Sequence, residues 1–181
     1  MQSDSATREK LRAIIEDRSL LKEGDFTLAS GAKSSMFFDM KKTMLDPEGA
    51  TLLADALWAL VKDREVDCIG GLEMGAVPIV SQLSMRSFPE KPIPSFFVRK
   101  QSKGHGTDKK IDGYLPKGKT AIIFEDVTTT GGSAIQAVNA VRAAGLTVKT
   151  VITVVDRMEG ALDNFTKEGI ELVALFTRDD F

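Results

Sequence analysis

The alternation of short apolar runs with helical stretches is the feature of this chain that most constrains its fold. The apolar runs of strand length lie at 66–72, 95–98, 121–124, 147–155 and 171–176. Helical spacing or helix-end signals predict helices at about 47–61, 77–86, 133–144 and 161–167. Short strands connected by helices form mainly parallel sheets whose faces the helices cover. The sequence therefore predicts an α/β fold with a mainly parallel sheet flanked by helices.

Local signals mark several element ends. Asp46 is a capping acceptor and Pro47 suits the first helical position, so a helix should begin there. Gly145 stands where a helix that ends near residue 144 would place its C′ glycine. The first 20 residues or so predict a further helix closed by Leu20 and Leu21, and the loose alternation over 26–42 predicts a hairpin.

Composition excludes several classes of function. The chain has 181 residues without a repeat or a linker, which predicts one domain over 1–181. Its net charge of −2 argues against a protein that coats nucleic acid or an anionic membrane. One cysteine, Cys68, and one histidine, His105, exclude a disulfide framework and a multi-histidine metal centre. The polar N-terminus and the absence of a long apolar run lead us to expect a cytoplasmic protein without a membrane partner.

Ligands of such folds bind beyond the carboxyl ends of the strands. The corresponding segments are 71–76, 99–112, 125–133 and 156–160. In the third, the run 121–124 is followed by Glu125, Asp126, Val127, Thr128, Thr129, Thr130, Gly131, Gly132 and Ser133. Glycines, hydroxyls and a helix start suit a phosphate, whereas two carboxylates suit the vicinal hydroxyls of a ribose. The segment therefore predicts a sugar-phosphate site, the alternative being a helix start that Thr and Ser merely cap.

The second segment is a concentrated positive patch. Arg99, Lys100, Lys103, Lys109 and Lys110 stand against the single acid Asp108. In a chain of negative net charge, such a cluster directly after a strand indicates a place for a polyanion. Its glycines predict a mobile lid. The alternative is a solvated charge run.

Two of these segments resemble known motifs. The stretch 121–133 resembles the phosphoribosyl pyrophosphate (PRPP) signature of type I phosphoribosyltransferases, with Glu125 where Asp is frequent. Arg99, Lys100, Lys103, His105 and Gly106 resemble the R-K-x-x-K-x-H-G loop of the orotate-specific members. The resemblance implies that Asp126, Lys103 and His105 are catalytic and that PRPP binds at 125–133. It also implies that Arg99, Lys100, Lys103 and His105 bind its pyrophosphate, with the 99–110 loop acting in trans within a homodimer.

The base end of the site rests on the same resemblance. Segment 27–31 and the aromatic pair Phe37 and Phe38 look like the family's N-terminal hood, formed mainly by about 1–45, in which aromatic residues pack over the pyrimidine. Arg157 matches the arginine that binds orotate's carboxylate, and Thr129 the threonine that also reaches orotate. The alternatives are ordinary core aromatics and a surface arginine paired with a neighbouring acid. A lysine common in the family is replaced here by Ala29.

Segment 70–78 resembles the family's pyrophosphate-binding turn without its lysine, which leaves backbone N–H groups as donors. The implied reaction joins orotate and PRPP with Mg²⁺ as cofactor, the metal being held mainly by PRPP and water rather than by a protein site. It needs no nucleic-acid partner. Two alternatives stay open: a type I transferase for a purine or uracil, and a non-catalytic PRPP-sensing regulator.

Overall fold

The computed structural model describes residues 5–22, 24, 26–27, 33–34, 36–101, 110–116 and 118–181. The strands are β1 Leu20–Leu21, β2 Phe26–Thr27, β3 Lys33–Ser34, β4 Phe37–Phe38, β5 Cys68–Gly71, β6 Phe96–Val98, β7 Ile111–Gly113, β8 Thr120–Thr128, β9 Thr147–Asp156 and β10 Glu171–Thr177. The α-helices are α1 Ser5–Ile14, α2 Lys41–Met44, α3 Pro47–Val61, α4 Ala76–Ser87, α5 Gly132–Ala143 and α6 Ala161–Lys167. A π-helical turn, Ile15–Ser19, follows α1, and a 3₁₀ turn, Arg178–Asp180, follows β10.

The central sheet confirms the predicted α/β fold. Its four parallel strands stand in the order β10-β9-β8-β5. Strand β6 joins β5 only through two isolated parallel bridges and pairs antiparallel with β7, a strand that the sequence did not indicate. The carboxyl ends of the four parallel strands therefore meet at one edge, as expected for ligand binding.

Strand β8 shows how the sheet separates two cores. Ile122 and Phe124 point to one face, where α1, α3 and α4 pack, and Ala121 and Ile123 point to the other, where α5 and α6 pack. Successive strand residues face opposite sides, so a strand with helices on both faces is apolar throughout. This is why the run 121–124 shows no polar alternation.

Two of the predicted helix ends are confirmed. The Asp46 carboxylate accepts a hydrogen bond of 2.8 Å from the Gly49 N–H, and Pro47 opens α3. Gly145 has a φ of 90° directly after the last turn of α5, the left-handed conformation that a C′ glycine adopts. Leu20 and Leu21 differ from the prediction: they form β1 and pair with Phe38 and Phe37 rather than extending the first helix.

The hairpin predicted over 26–42 forms only in its first part, where β2 and β3 pair antiparallel through Phe26 with Ser34 and Thr27 with Lys33. Strand β4 pairs with β1 instead, and residues 41 and 42 belong to α2. Segment 28–32, which includes Ala29, lies outside the described residues. None of the described helices combines the length and the apolar character that crossing a membrane requires.

Candidate active site

A cavity of about 480 Å³ lies at the carboxyl edge of the sheet. It brings together residues from all four predicted strand exits and from the hood, with Lys100 representing the basic loop. Its lining consists of Phe37, Phe38, Lys41, Leu72, Glu73, Met74, Gly75, Lys100, Glu125, Asp126, Val127, Thr129, Ser133 and Arg157. Residues far apart in sequence therefore form one concave site, as the prediction required.

The two carboxyl groups lie within β8, not in a loop after it. The sequence placed the strand end at residue 124, but the parallel ladder continues through Glu125 opposite Thr153 to Thr128 opposite Asp156. Because successive strand residues face opposite sides, Glu125 and Asp126 point in different directions, Glu125 toward the start of α5 and Asp126 toward the start of α4. The acids are therefore fixed by the sheet rather than by a flexible loop.

Burial dominates the electrostatics of this pair. Glu125 is only 8% exposed, and burial, reinforced by repulsion from Asp126, raises its pKa to about 8. Burial also raises the pKa of Asp126, opposed by the Val127 N–H, which donates to Asp126 Oδ1 over 2.9 Å. Among the described residues, Glu125 Oε2 has no hydrogen-bond partner. A buried acceptor of this kind is ready for a ligand hydroxyl or a bound water.

Gly75 packs against the Asp126 carboxylate because it has no side chain. It precedes α4, and a β-carbon built on it would stand 2.7 Å from Asp126 Cγ and 2.9 Å from Oδ2. Contacts this close do not occur between real side chains, so only glycine permits the approach. The turn 72–75, which the sequence connected with pyrophosphate, therefore packs directly against the acid assigned to the ribose.

The predicted phosphate loop forms the start of α5. Gly131 adopts a φ of 81°, and a β-carbon there would come within 2.7 Å of the Phe165 ring. Thr129 and Ser133 line the main cavity, and a smaller cavity of about 20 Å³ lies in the bend itself. Free N–H groups and the positive end of an α-helix make this bend a suitable anion site.

Two threonines of this loop differ from the prediction. Thr128 is 1% exposed, and its hydroxyl donates to Thr153 Oγ1 over 3.0 Å, because β8 continues through residue 128 and turns this side chain into the core. The Thr130 side chain lines neither cavity, and its carbonyl accepts a 2.9 Å bond from Asn164 Nδ2. The hydroxyls that face the site belong to Thr129 and Ser133.

The cavity wall formed by Phe37, Phe38 and Arg157 agrees with the alternatives in part, because Phe38 belongs to the hydrophobic core and Arg157 pairs with the neighbouring acid Glu159. Arg157 is 3% exposed, so it is not a surface residue, although its Nη2 lies 2.8 Å from Glu159 Oε1. Phe38 is buried and Phe37 is partly exposed, stacked on Phe26 with ring centroids 5.5 Å apart. A buried guanidinium in the same cavity as two aromatic rings suits a planar anion.

The structure describes four residues of the basic loop: Arg99, Lys100, Gln101 and Lys110. Lys100 lines the cavity, and its backbone N–H donates to Glu73 Oε1 over 2.9 Å. Arg99, predicted to bind pyrophosphate, instead directs its guanidinium to the Asp112 carboxylate and lies 3.9 Å from Glu73 Oε2. Lys103 and His105 lie outside the described residues, so their predicted roles stay predictions.

Comparisons with known proteins agree with this geometry. Residues 42–174 match the model of the phosphoribosyl transferase domain. An orotate phosphoribosyltransferase from Rhodopseudomonas palustris is 48% identical over 99% of this chain and 98% of its own length. One from Bradyrhizobium diazoefficiens is 50% identical, with the same two coverages. The chain belongs to the orotate phosphoribosyltransferase family.

A solved structure supports the same assignment. Orotate phosphoribosyltransferase from Mycobacterium tuberculosis, in complex with PRPP, superposes with a TM-score of 0.79 at 30% identity and covers 96% of this chain and 98% of its own. The predicted family, fold class and enzyme class are therefore confirmed.

Sequence reasoning missed two features of this orotate phosphoribosyltransferase site. Lys41, the first residue of α2, lines the cavity next to the hood aromatics. Lys41 could have been predicted to line the site, because it follows Phe38 by three residues and the aromatic pair was already assigned to the base end. The contact between Gly75 and Asp126 carried no local signal, since it joins segments from two different strands.

Proposed function

We propose that this chain transfers the phosphoribosyl group of PRPP to orotate, which gives orotidine 5′-monophosphate and pyrophosphate. The observation that carries the proposal is one cavity lined by the buried Glu125, the half-buried Asp126, the helix start after Gly131, the buried Arg157 and two aromatic rings. Relatives matched along their length bear this enzyme's name, and the similar M. tuberculosis enzyme was solved with PRPP.

The sugar phosphate would occupy the part of the cavity between β8 and α5. Asp126 and Glu125 would bind the ribose hydroxyls, while Thr129, Ser133 and the N–H groups of the bend would bind the 5′-phosphate. Orotate would lie against Phe37 and Phe38, with its carboxylate on Arg157. This division places the anomeric carbon beside Asp126, where positive charge develops as the leaving group departs.

The chemistry needs one bond to break and one to form. The anomeric C–O bond breaks with its electron pair left on pyrophosphate, the N1 proton of orotate passes to that pyrophosphate, and the N1 electron pair forms the new C–N bond. No protein nucleophile is required. The protein's part is to hold both reactants in line, stabilise the departing anion through Lys100 with Lys103 and His105, and exclude water.

We also propose Mg²⁺ as the cofactor. Among the described residues there is no cluster of three His, Cys, Asp or Glu side chains that could hold a metal. The hydrogen-bond-free Oε2 of Glu125 and the neighbouring Asp126 fit hydroxyls or metal-bound water better than a direct cage. When bound to the diphosphate, Mg²⁺ supplies positive charge to the leaving group.

The direct test is the loss of orotate's ultraviolet absorbance when PRPP and Mg²⁺ are added to the purified protein. The same mixture offered uracil, hypoxanthine and adenine in place of orotate should show no product. Turnover of one of these bases instead of orotate would contradict the substrate assignment. Retention of nucleic acid in a gel without pyrophosphate release would favour a regulator.

We propose further that the chain acts as a homodimer whose 99–110 loop closes over the partner's cavity. Mixing Lys103→Ala with Arg157→Ala tests this at an orotate concentration far below the KM of Arg157→Ala, where each variant alone is strongly impaired. Half of the random dimers then contain one site with both residues intact. Activity should recover to roughly a quarter of the wild-type value if the loop acts in trans. Absence of recovery in a mixture that has formed mixed dimers would show that it acts in cis.

A cytoplasmic location is proposed as well. It rests on composition, since the single cysteine, Cys68, is buried and unpaired with any other cysteine, as suits a reducing compartment. Fractionation of the source cells with an antibody to this chain would test it.

A further inference from the structure

One cationic side chain in the wall of the active-site cavity has no role in the proposed function. Of the described residues, six charged side chains line the cavity: Lys41, Glu73, Lys100, Glu125, Asp126 and Arg157. Arg157 serves orotate's carboxylate, Lys100 the pyrophosphate and the two acids of β8 the ribose, while Glu73 holds the backbone of Lys100. Lys41 is left over, in a position where a cation has direct access to the ligand.

The location of Lys41 points to the base end. It opens α2 directly after the hood strand that carries Phe37 and Phe38, which line the same cavity. Its Nζ lies 3.0 Å from Asp39 Oδ1, which limits the directions in which the long side chain extends. Its charge acts on Asp126, whereas that of Lys100 acts on both carboxyl groups of β8. Lys41 therefore approaches the reacting centre from the hood, and Lys100 approaches it from the basic loop.

The charge of the base explains why a second cation is useful there. Orotate carries a carboxylate, and the loss of the N1 proton places a second negative charge on its ring and carbonyl oxygens. Arg157 and Lys41 each pair with a carboxylate, Glu159 at 2.8 Å and Asp39 at 3.0 Å, so neither cation alone compensates both negative charges of the base. A planar guanidinium suits the carboxylate, while a lysine ammonium, with three rotatable donors on a flexible stem, suits a delocalised ring anion.

We propose that Lys41 binds the ring oxygens of the orotate anion from the hood side, as a second substrate-binding cation beside Arg157, an inference that rests on the proposed function. The ion pair with Asp39 keeps the ammonium group at the hood. Selectivity for an anionic pyrimidine over a neutral base then comes from two cations on different elements.

The test compares Lys41→Met with Lys42→Met. Lys42 is the next residue of the same short helix, is exposed and does not line the cavity, so it controls for the loss of one positive charge from the hood. Loss of a charge-assisted hydrogen bond predicts an increase of roughly 10- to 100-fold in the KM for orotate in Lys41→Met, with the KM for PRPP within about 2-fold. Lys42→Met should match the wild type, and Lys41→Arg should recover most of the affinity.

Two results would overturn the proposal. An unchanged KM for orotate in Lys41→Met would remove the residue from base binding, and equal increases for PRPP and orotate would place it at the diphosphate instead. Because the Lys41 side chain is 59% exposed, we expect the variant to fold, and a preserved KM for PRPP verifies this in the same assay. Failure of the proposed function is distinct, since the wild type and Lys42→Met would then consume no orotate.

Discussion

Replacing Gly75 by alanine should separate the activity of this enzyme from its stability. The new methyl group would stand 2.7 Å from Asp126 Cγ, whereas non-bonded carbon atoms prefer about 3.5–4.0 Å, so the carboxylate must move by roughly 1 Å. A displacement of that size at a reacting centre costs about 100-fold, or about 2.7 kcal/mol of transition-state stabilisation. We therefore expect kcat/KM for PRPP to fall by about two orders of magnitude.

The same substitution should leave the free energy of unfolding nearly unchanged. Gly75 has φ −56° and ψ −43°, which alanine adopts without strain, and the change gains about 0.4–1 kcal/mol by restricting the unfolded chain. Loss of the hydrogen bond from the Val127 N–H to Asp126 Oδ1 costs about 1 kcal/mol. The two effects cancel, so the melting temperature should shift by no more than about 2 °C.

The assay pairs steady-state kinetics with thermal unfolding, and Gly145→Ala provides the opposite control. Gly145 has a φ of 90° and open space around it, so alanine there costs about 1 kcal/mol of backbone strain and lowers Tm by roughly 2–4 °C. Its kcat/KM should not change. Unaltered kinetics in Gly75→Ala would refute the reasoning, as would a loss of activity that merely follows a large drop in Tm.

Three further predictions test the base end and the buried acid. Arg157→Ala should raise the KM for orotate by roughly 10- to 100-fold and that for PRPP much less, and equal changes in steady-state kinetics would contradict the assignment. Phe181→Ala removes a ring whose centroid lies 5.3 Å from that of Phe38, so the KM for orotate should rise roughly 2- to 10-fold. An unchanged KM would show that Phe181 does not position Phe38 for orotate. In the folded wild type, Glu125 has a pKa of about 8, against 4.5 in the unfolded chain. Because the folded state then binds more protons between these values, the free energy of unfolding falls as pH rises through this range. Urea unfolding at several pH values should show this decline relative to Glu125→Gln, and parallel profiles would count against it.

Features that depend on neighbouring residues were predictable. The cap at Asp46, the proline that follows it and the C′ glycine at 145 are set by the local backbone, so the sequence contains their whole explanation. The phosphate loop was predictable for the same reason, because its glycines and hydroxyls are contiguous. The edge at which it would meet Arg157 followed from the rule for parallel sheets.

Features that depend on pairing between distant segments could not be predicted from the sequence. The length of β8 depends on the ladder to β9, so the sequence placed Glu125 and Asp126 at the tip of a strand that ended at residue 124 and directed the Thr128 hydroxyl to the phosphate. The sequence assigned Arg99 to pyrophosphate without its ion pair to Asp112. Asp112 follows the basic loop in sequence and comes close to Arg99 only through the pairing of β6 with β7.

What the sequence by itself determined is the kind of chemistry: a sheet with helices on both faces, an acid pair followed by an anion-binding bend, and an arginine at the next strand exit. The residues that indicate each of these features are neighbours in the sequence. Only the tertiary structure decided the state and surroundings of those groups, such as the burial that raises the pKa of Glu125, the contact of Gly75 with Asp126 and the entry of Lys41 into the cavity. The physical reason is that desolvation and close contact arise from the packing of separate elements, which no single segment encodes.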